Sequence, residues 1–356
     1  MFLTVAAPLW LATASTASDR EAMVREAAQA SINGYIRPMF GQFGEASKAT
    51  SVALESLCSA PSEDHLNQAR AQFADLVSAW SRIEFLRFGP LAQNNRFERL
   101  HFWPDRRGRA LRQVQAALAT TDPSVTATPS IAGKSVAVQG LGALEYLLFG
   151  AGSDDLARQE SEHRCAFAHA VGGNVADIAA ELRAEWNDAD GFVATLIDFG
   201  PENASFRNAR EVAVQMFATV VDGLAWVSDV KLRPALGEAK ADAKPKRAIF
   251  WRSGQTFRSI QGNLDGLEAY LIATRLLDLL PEDQSRFAQS IRFEFANAKR
   301  TLEGIETAPL QAFAADPARG KLSYLLIVAD SLGMLMEGRV GPTLGIEAGF
   351  SVLDGD

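Results

Sequence analysis

The sequence has few of the residues that build metal centres and disulfide frameworks. Its 356 residues include two cysteines and four histidines. Two cysteines exclude a small disulfide-stapled scaffold and a multi-cysteine zinc site. Cys58 and Cys165 could pair in an oxidising compartment or remain two buried thiols, and the sequence leaves both alternatives open. No histidine spacing indicates a thiol nucleophile.

An excess of positive charge is also missing. Lys and Arg number 35 against 43 Asp and Glu, which gives a net charge of −8. This balance disfavours nonspecific attraction to nucleic acid and to anionic membranes, so we expect no nucleic-acid partner. Two local basic clusters lie beside helix starts or loops, and we interpret them as solvated faces. They are Arg106, Arg107, Arg109 and Arg112, and Lys240, Lys244, Lys246 and Arg247.

The first eighteen residues carry no charge. An apolar run from Phe2 to Leu11 precedes two small-x-small cleavage patterns, which predicts an export signal over residues 1–18 even without a basic n-region. Pro8 interrupts a run that is too short to span a bilayer comfortably, so we expect no transmembrane segment in the mature chain. No cysteine lies near the cleavage point to carry a lipid anchor. The mature protein is predicted to be periplasmic.

Alternating strand patterns are scarce, and helical periodicity dominates. Amphipathic runs at 19–32, 63–86, 107–119, 139–149, 155–186, 204–230, 255–280, 284–304 and 320–337 predict an all-α fold built from helical bundles. A hydrophobic content of 47% suffices for sizeable cores. We predict a first bundle over residues 19–152 and a second over 153–356, the latter ending in an irregular Gly-rich tail.

Three pairs of segments recur in the same order along the chain. The segment 141–148 is echoed by 264–271, which aligns Glu145 with Glu268. Phe102-Trp103 recurs as Phe250-Trp251, and 80–87 recurs more faintly as 226–233. Three ordered pairs favour an internal duplication and predict two pseudo-symmetric bundles. A pocket between such halves is a natural binding site.

Glu145 is the only charged residue between Lys134 and Asp154. Burying a carboxylate costs several kcal/mol unless a cation, a metal or several donors meet it, and otherwise its pKa rises. Glu145 is therefore a site candidate, with a structural carboxylate as the equal alternative. We expect it to be buried near the junction of the bundles, in contact with several donors or with Arg96 or Arg99. If the partner of Glu145 is charged, removing Glu145 leaves that charge buried and unpaired. The free energy of unfolding would then fall by roughly 3–5 kcal/mol.

Other polar residues have two interpretations. Glu84 could line the pocket with Glu145 or pair with Arg82 or Arg87 on its own helix. Asp105 precedes a helical run, and we interpret it as a cap.

Histidine and cysteine also alternate at His163, Cys165 and His169, with Glu160 and Glu162 nearby. We favour a partly solvated helix face over a metal site there.

The chain resembles the imelysin family from about Trp80 to Asp356. The likeness is strongest at 80–90, at 95–105, at 139–150 and in the ending 349–356. The resemblance implies an exported bacterial protein from a family classified with metallopeptidases and associated with iron uptake.

The family's hallmark is a Gly-x-His-x-x-Glu motif, which Gly140 and Glu145 match while Gly142 replaces the histidine. Hydrolytic metal sites typically use about three protein ligands and a bound water, so we predict no metal site here. This departure favours a noncatalytic periplasmic binding component associated with iron uptake. A metallopeptidase and a helical envelope interaction module are the alternatives.

The predicted pocket draws on both halves and on the tail. Its residues are Glu84, Arg96, Trp103, Gly140, Gly142, Glu145, Glu268 and Asp354. The resemblance implies iron, haem or a peptide as ligand, and periplasmic or outer-membrane iron-uptake proteins as partners.

Overall fold

The computed structural model describes residues 17–346, and within this range the chain is helical without a strand. This confirms the predicted all-α class. The helices are α1 Ala17–Ser31, α2 Arg37–Ser59, α3 Glu63–Ser81, α4 Arg96–Leu100, α5 Arg109–Ala119, α6 Thr128–Ile131, α7 Gly140–Phe149, α8 Glu162–Asn187, α9 Phe192–Ile197, α10 Ala209–Ala225, α11 Arg233–Leu236, α12 Thr256–Ala273, α13 Ser285–Glu303, α14 Pro309–Ala312, α15 Ala318–Leu335 and α16 Gly341–Leu344. Wider π turns cover Ile32–Ile36, Trp226–Leu232 and Met336–Val340. The predicted export signal lies almost entirely outside the described residues.

Eight of the longer helices form two groups of four. Helices α2, α3, α7 and α8 pack together, and so do α10, α12, α13 and α15, with α3 against α12 joining the groups. Helix α8 lies along α2, and α1 lies against α10. Packing therefore crosses the boundary between residues 152 and 153 that the sequence suggests, and the division into two bundles there remains a prediction.

The first helical segment is longer than its sequence pattern predicts. Helix α1, a π turn and α2 run on from residue 17 to 59, whereas periodicity predicts only 19–32. Pro38 closely follows the π turn, where the regular α-helical hydrogen-bond pattern is already interrupted, so the missing N–H of proline is tolerated. Phe40 and Phe43 are fully buried, so tertiary packing stabilises a stretch whose composition is a poor helix former.

A single apolar core extends through both groups of helices. In the described chain the stretch Ala209–Leu236 is long and apolar enough to cross a membrane, and 67% of its most apolar window is buried inside the protein. This burial is what the core helix of a folded protein shows.

A disulfide between Cys58 and Cys165 joins the end of α2 to the start of α8. Of the two alternatives that the sequence allows, the paired one is present. The bond closes a loop with a sequence separation of 107 residues. A loop of that length restricts the unfolded chain strongly, which favours the folded state.

A charged pair lies in the middle of the core, where the two helix groups meet. Lys231, in the second π turn, donates to Glu84, just beyond α3, and both side chains are fully buried. Lys231 also donates to Ser259 at 2.7 Å and to Asn263 on α12. Asn263 in turn donates to Glu84 at 3.0 Å and to the Ser81 carbonyl at 2.6 Å. Glu84 therefore pairs across the molecule, and the predicted pairing with Arg82 or Arg87 is wrong.

The two faintly echoed segments, 80–87 and 226–233, touch each other. Glu84 and Lys231 form the ion pair, and the Arg87 guanidinium lies 3.7 Å from the centre of the Trp226 ring. Such a contact is what segments near a pseudo-twofold axis would make. The duplication itself stays a prediction.

Breaking the buried pair from one side should destabilise the protein strongly. Lys231→Met leaves the Glu84 carboxylate buried without its cation, and we expect a loss of roughly 3–5 kcal/mol in the free energy of unfolding. Glu84→Leu combined with Lys231→Met should lose less than Lys231→Met alone, because no uncompensated charge remains. Urea denaturation followed by circular dichroism measures both.

Lys299→Met is the matched control. Its ion pair with Glu268 is partly exposed, with Nζ 2.5 Å from Oε2, and should contribute no more than about 1 kcal/mol. If the double variant lost as much stability as the sum of its two single variants, the two buried charges would not be coupled.

Candidate functional site

A cleft of about 710 Å³ opens beside α7. One wall comes from the segment 101–108 with the start of α5, and the facing wall comes from the loop 246–252. Gly142 and Glu145 on α7 line it, and residues of the second π turn complete it. The two recurring dipeptides, Phe102-Trp103 and Phe250-Trp251, both line this cleft.

The start of α7 is held closely against the end of α4. Gly140 has a φ of +71°, and a Cβ there would lie 2.2 Å from the Leu100 carbonyl oxygen, so only glycine fits. Gln139, buried just before it, accepts from Asn174 at 3.2 Å and from Arg99 at 3.3 Å. This network sets the position of Gly142 and Glu145 over the cleft floor.

Glu145 is 5% exposed, and its Oε1 accepts two hydrogen bonds from Ser253. The backbone N–H and the hydroxyl of Ser253 each donate at 2.9 Å. Burial raises the pKa of Glu145, while the Ser253 hydrogen bonds and the positive charge of Arg252 oppose that rise. The carboxylate is met by donors from the second half of the chain, as expected for a buried lone carboxylate.

Gly142 borders the cleft without any close approach. A Cβ at this position would have His101 Cδ2 as its nearest neighbour, at an ordinary contact distance of 3.9 Å. The fold therefore has room for a Cβ at position 142.

His101 lies beside Gly142 and is 3% exposed. It stacks between Phe250, with centroids 4.7 Å apart, and Trp103, with centroids 6.2 Å apart. Burial, with the nearby charges of Lys231 and Arg87, lowers the pKa of His101 to about 3, so the imidazole is neutral at pH 7. Its ring nitrogens make no hydrogen bond with residues 17–346.

The aromatic stack also holds the loop that carries Ser253. Phe250 has a φ of +50°, a strained conformation for a residue with a bulky side chain. Its parallel stacking on His101 and the hydrogen bond that the Gln255 backbone N–H donates to its carbonyl, at 3.0 Å, hold that conformation. The strained turn directs the Ser253 donors at Glu145.

Two predicted site residues lie away from the cleft because they have other partners. Arg96 binds Glu185 at 2.5 Å and Glu181 at 3.2 Å, and Arg99 binds Gln139 and Asn174. The predicted pairing of either arginine with Glu145 is therefore wrong. Both arginines fix α4 against α8, an indirect contribution to the cleft wall.

Glu84 and Glu268 are also not in the cleft. Glu84 is enclosed in the core with Lys231, and Glu268 pairs with Lys299 on α13. Glu145 lies in the second turn of α7, whereas Glu268 lies in the fourth turn of α12. Asp354 lies outside the described residues. Of the predicted set, Trp103, Gly142 and Glu145 line the cleft, and Gly140 positions them.

Capping at Asp105 is confirmed, since its carboxylate accepts from the Arg109 and Ala110 backbone N–H groups at 2.7 and 2.9 Å. At the predicted solvated helix face, Cys165 is in the disulfide and His163 Nε2 lies 3.0 Å from the Asp122 carbonyl. Within the described range, no group of three or more His, Cys, Asp or Glu side chains could hold a metal ion.

Most residues of the wall formed by the loop 246–252 were not predicted to belong to a site. Ser253 carried no signal, because a lone serine in a loop looks like any other. Trp251 was visible as part of an echo, yet nothing assigned it to the site. Lys246 and Arg247 were noticed as a basic cluster and interpreted as a solvated face, whereas both line the cleft.

Replacing Glu145 should change stability in a pH-dependent way. Because the pKa of Glu145 is raised in the folded state, the folded protein binds a proton that the unfolded chain releases above the ordinary value of 4.5. The wild type should therefore lose stability relative to Glu145→Gln as the pH rises from about 4 to 7. Urea denaturation of both proteins across this range measures the difference, and a constant difference would show that Glu145 ionises alike in both states.

Glu145→Ala is the companion variant at neutral pH. The expected cost of roughly 3–5 kcal/mol assumed a charged partner. Because the partner is the neutral Ser253, removing its acceptor should cost about 1–3 kcal/mol.

The chain is similar to known proteins in sequence pattern and in fold. The imelysin family model matches residues 36–329. The fold is similar to an imelysin-like protein from Psychrobacter arcticum 273-4, with a TM-score of 0.76 and 19% identity over 93% of this chain and 98% of that one. It is also similar to the iron-regulated protein A precursor of Parabacteroides distasonis ATCC 8503, with a TM-score of 0.73 and 13% identity over 94% and 97% of the two chains. No curated protein matches the sequence. Since the family model spans most of the chain, the protein belongs to the imelysin family.

Proposed function

We propose that this imelysin is a noncatalytic, periplasmic binding component associated with bacterial iron uptake, and that the cleft beside α7 holds its ligand. The observation that carries the proposal is the state of the motif carboxylate. Glu145 faces Ser253 donors, and Gly142 presents no imidazole beside it. The motif therefore builds a polar floor in a cleft instead of a metal-activating centre.

The donors at the cleft floor do not fit a resident metal ion. Among the described residues that line the cleft, the candidate metal donors are His101, Asp105, Glu145 and Asp229, and Glu145 already accepts from Ser253. Asp105 caps α5, and Asp229 accepts from Arg233 at 2.8 Å. His101 and Glu145 fall short of the three donors that hydrolytic sites use, so we derive no reaction through a metal and place the peptidase alternative second.

The size of the cleft favours a molecular ligand. A volume of about 710 Å³ is within the range of pockets that bury drug-sized molecules and far exceeds what one ion occupies. If the ligand brings iron with it, the protein needs no coordination sphere of its own. A similar structure is that of an iron-regulated protein precursor, which supports the association with iron and with export.

Restoring the motif should create metal affinity that the natural protein lacks. Gly142→His puts imidazole and the Glu145 carboxylate one helical turn apart, next to the neutral His101, and a Cβ at position 142 meets no close neighbour. Calorimetric titration with Zn(II), Fe(II) and Fe(III) should show weak binding by the wild type and stoichiometric binding by the variant. Gly142→Gln, similar in reach but a poor ligand, is the matched control.

Adding Glu145→Gln to Gly142→His should abolish the new binding. Tight binding by the unaltered protein that disappears in Glu145→Gln would contradict the metal-free interpretation and favour a metalloprotein.

A role in iron uptake should appear as a conditional growth defect. Deleting the gene should slow growth of the producing bacterium when iron is chelated and leave growth unchanged when iron is plentiful. Complementation with the wild-type gene should restore growth, and cell fractionation should find the protein in the periplasm. Equal growth of the deletion and parent strains at every iron level would rule out the iron association.

A further inference from the structure

The cleft collects positive charge on a protein whose net charge is −8. Four cationic side chains line it: Arg106, Lys246, Arg247 and Arg252. Arg106, Lys246 and Arg247 have no carboxylate within ion-pair distance among residues 17–346. A concentration of one sign of charge in a concave site focuses its field on a ligand of the opposite sign.

Within residues 17–346 three acids also line the cleft, and none of them forms an ion pair with Arg106, Lys246 or Arg247. Asp105 is used by the backbone of α5, and Asp229 lies against Arg233. Glu145 is on the floor, bound by Ser253, and only Arg252 acts on its charge. The rim therefore keeps a cationic surface that faces open space.

Aromatic rings lie between the cations. Arg252 lies 4.4 Å from the centre of the Trp251 ring and 5.6 Å from that of Tyr146, and Lys246 lies 5.5 Å from Trp251. On the opposite wall Trp103 ends the parallel stack that begins with Phe250 and His101. Trp103 and Trp251 are both partly exposed, so their rings are available to a ligand.

We propose that the cleft binds an anionic ligand built on aromatic rings, with its carboxylate or phenolate groups on the rim cations and its rings against Trp103 and Trp251. This inference rests on the proposed function, because it names the ligand class of the same site. Arginine pairs with carboxylates in a bidentate fork, and indole offers a large flat surface for ring contact.

The same charges explain how iron could be carried without protein ligands. Rim cations repel a bare ferric ion but attract a ferric complex whose chelating groups leave it negatively charged. Carboxylate and phenolate oxygens are hard donors suited to ferric iron. An aromatic oxyanion can therefore supply both the coordination of iron and the negative charge that this cleft recognises.

Three matched probes separate charge from aromaticity. Trimesate carries three carboxylates on a benzene ring, its cyclohexane analogue keeps the charge without aromaticity, and its tricarboxamide keeps the ring without charge. In calorimetric titrations at low salt, trimesate should bind at least roughly fivefold more tightly than either analogue, which is the effect of one ring contact or one ion pair. Added salt should weaken the binding of trimesate.

Substitutions of residues that line the cleft show whether trimesate binds there. Arg247→Gln, Arg106→Gln and Trp251→Leu should each weaken trimesate binding roughly fivefold. Lys244→Gln and Arg109→Gln are the controls, since they remove a cation from the same clusters at positions that do not line the cleft. Circular dichroism melts confirm that each variant is folded.

Equal binding of trimesate and its tricarboxamide would overturn the anionic requirement, and equal binding of the cyclohexane analogue would overturn the aromatic one. Equal losses in the control variants would show general attraction and no site in the cleft. If none of the three probes binds while the deletion strain still shows its iron-dependent growth defect, the ligand class fails and the proposed function stands. If that growth defect is absent and trimesate binds as expected, the iron association fails and the ligand class stands.

Discussion

The buried ion pair between Glu84 and Lys231 is the interaction on which the arrangement of the two helix groups depends. Each charge would be costly alone in the core, so neither side chain can leave without the other. Glu84, Lys231 and Asn263 are hydrogen-bonded to one another. These bonds fix the positions of the end of α3, the second π turn and α12 relative to each other. We infer that the pair specifies how the groups sit against each other more than it adds stability, since apolar packing alone would tolerate sliding.

The charges in the core also affect the protonation of His101 in the cleft. Burial lowers the pKa of His101, the charges of Lys231 and Arg87 lower it further, and the neutral ring stacks in parallel with Phe250 and Trp103. The stack stabilises the turn that presents Ser253 to Glu145. The charges of the core therefore act on the His101 ring, and the stack that includes this ring supports the turn beside Glu145.

Periodicity predicted most of the helices and the all-α class, because core-facing helices leave a repeating apolar signal. It missed residues 33–59, where proline, glycine and serine hide a helix that packing stabilises. The isolation of Glu145 predicted its burial correctly. Its partner could not be predicted, because Ser253 lies 108 residues away. The partner of Glu84 is 147 residues distant for the same reason, and only the fold brings such pairs together.

Gly140 and Gly142, two residues apart on α7, are constrained in opposite ways. At Gly140 any side chain would collide with the Leu100 carbonyl, so the fold itself forbids substitution. At Gly142 the neighbouring atoms leave ordinary contact distance. Folding therefore does not account for the absence of an imidazole at 142. A side chain can therefore be introduced at 142 without a collision at its Cβ, so this helix turn can exchange one chemistry for another on the same scaffold.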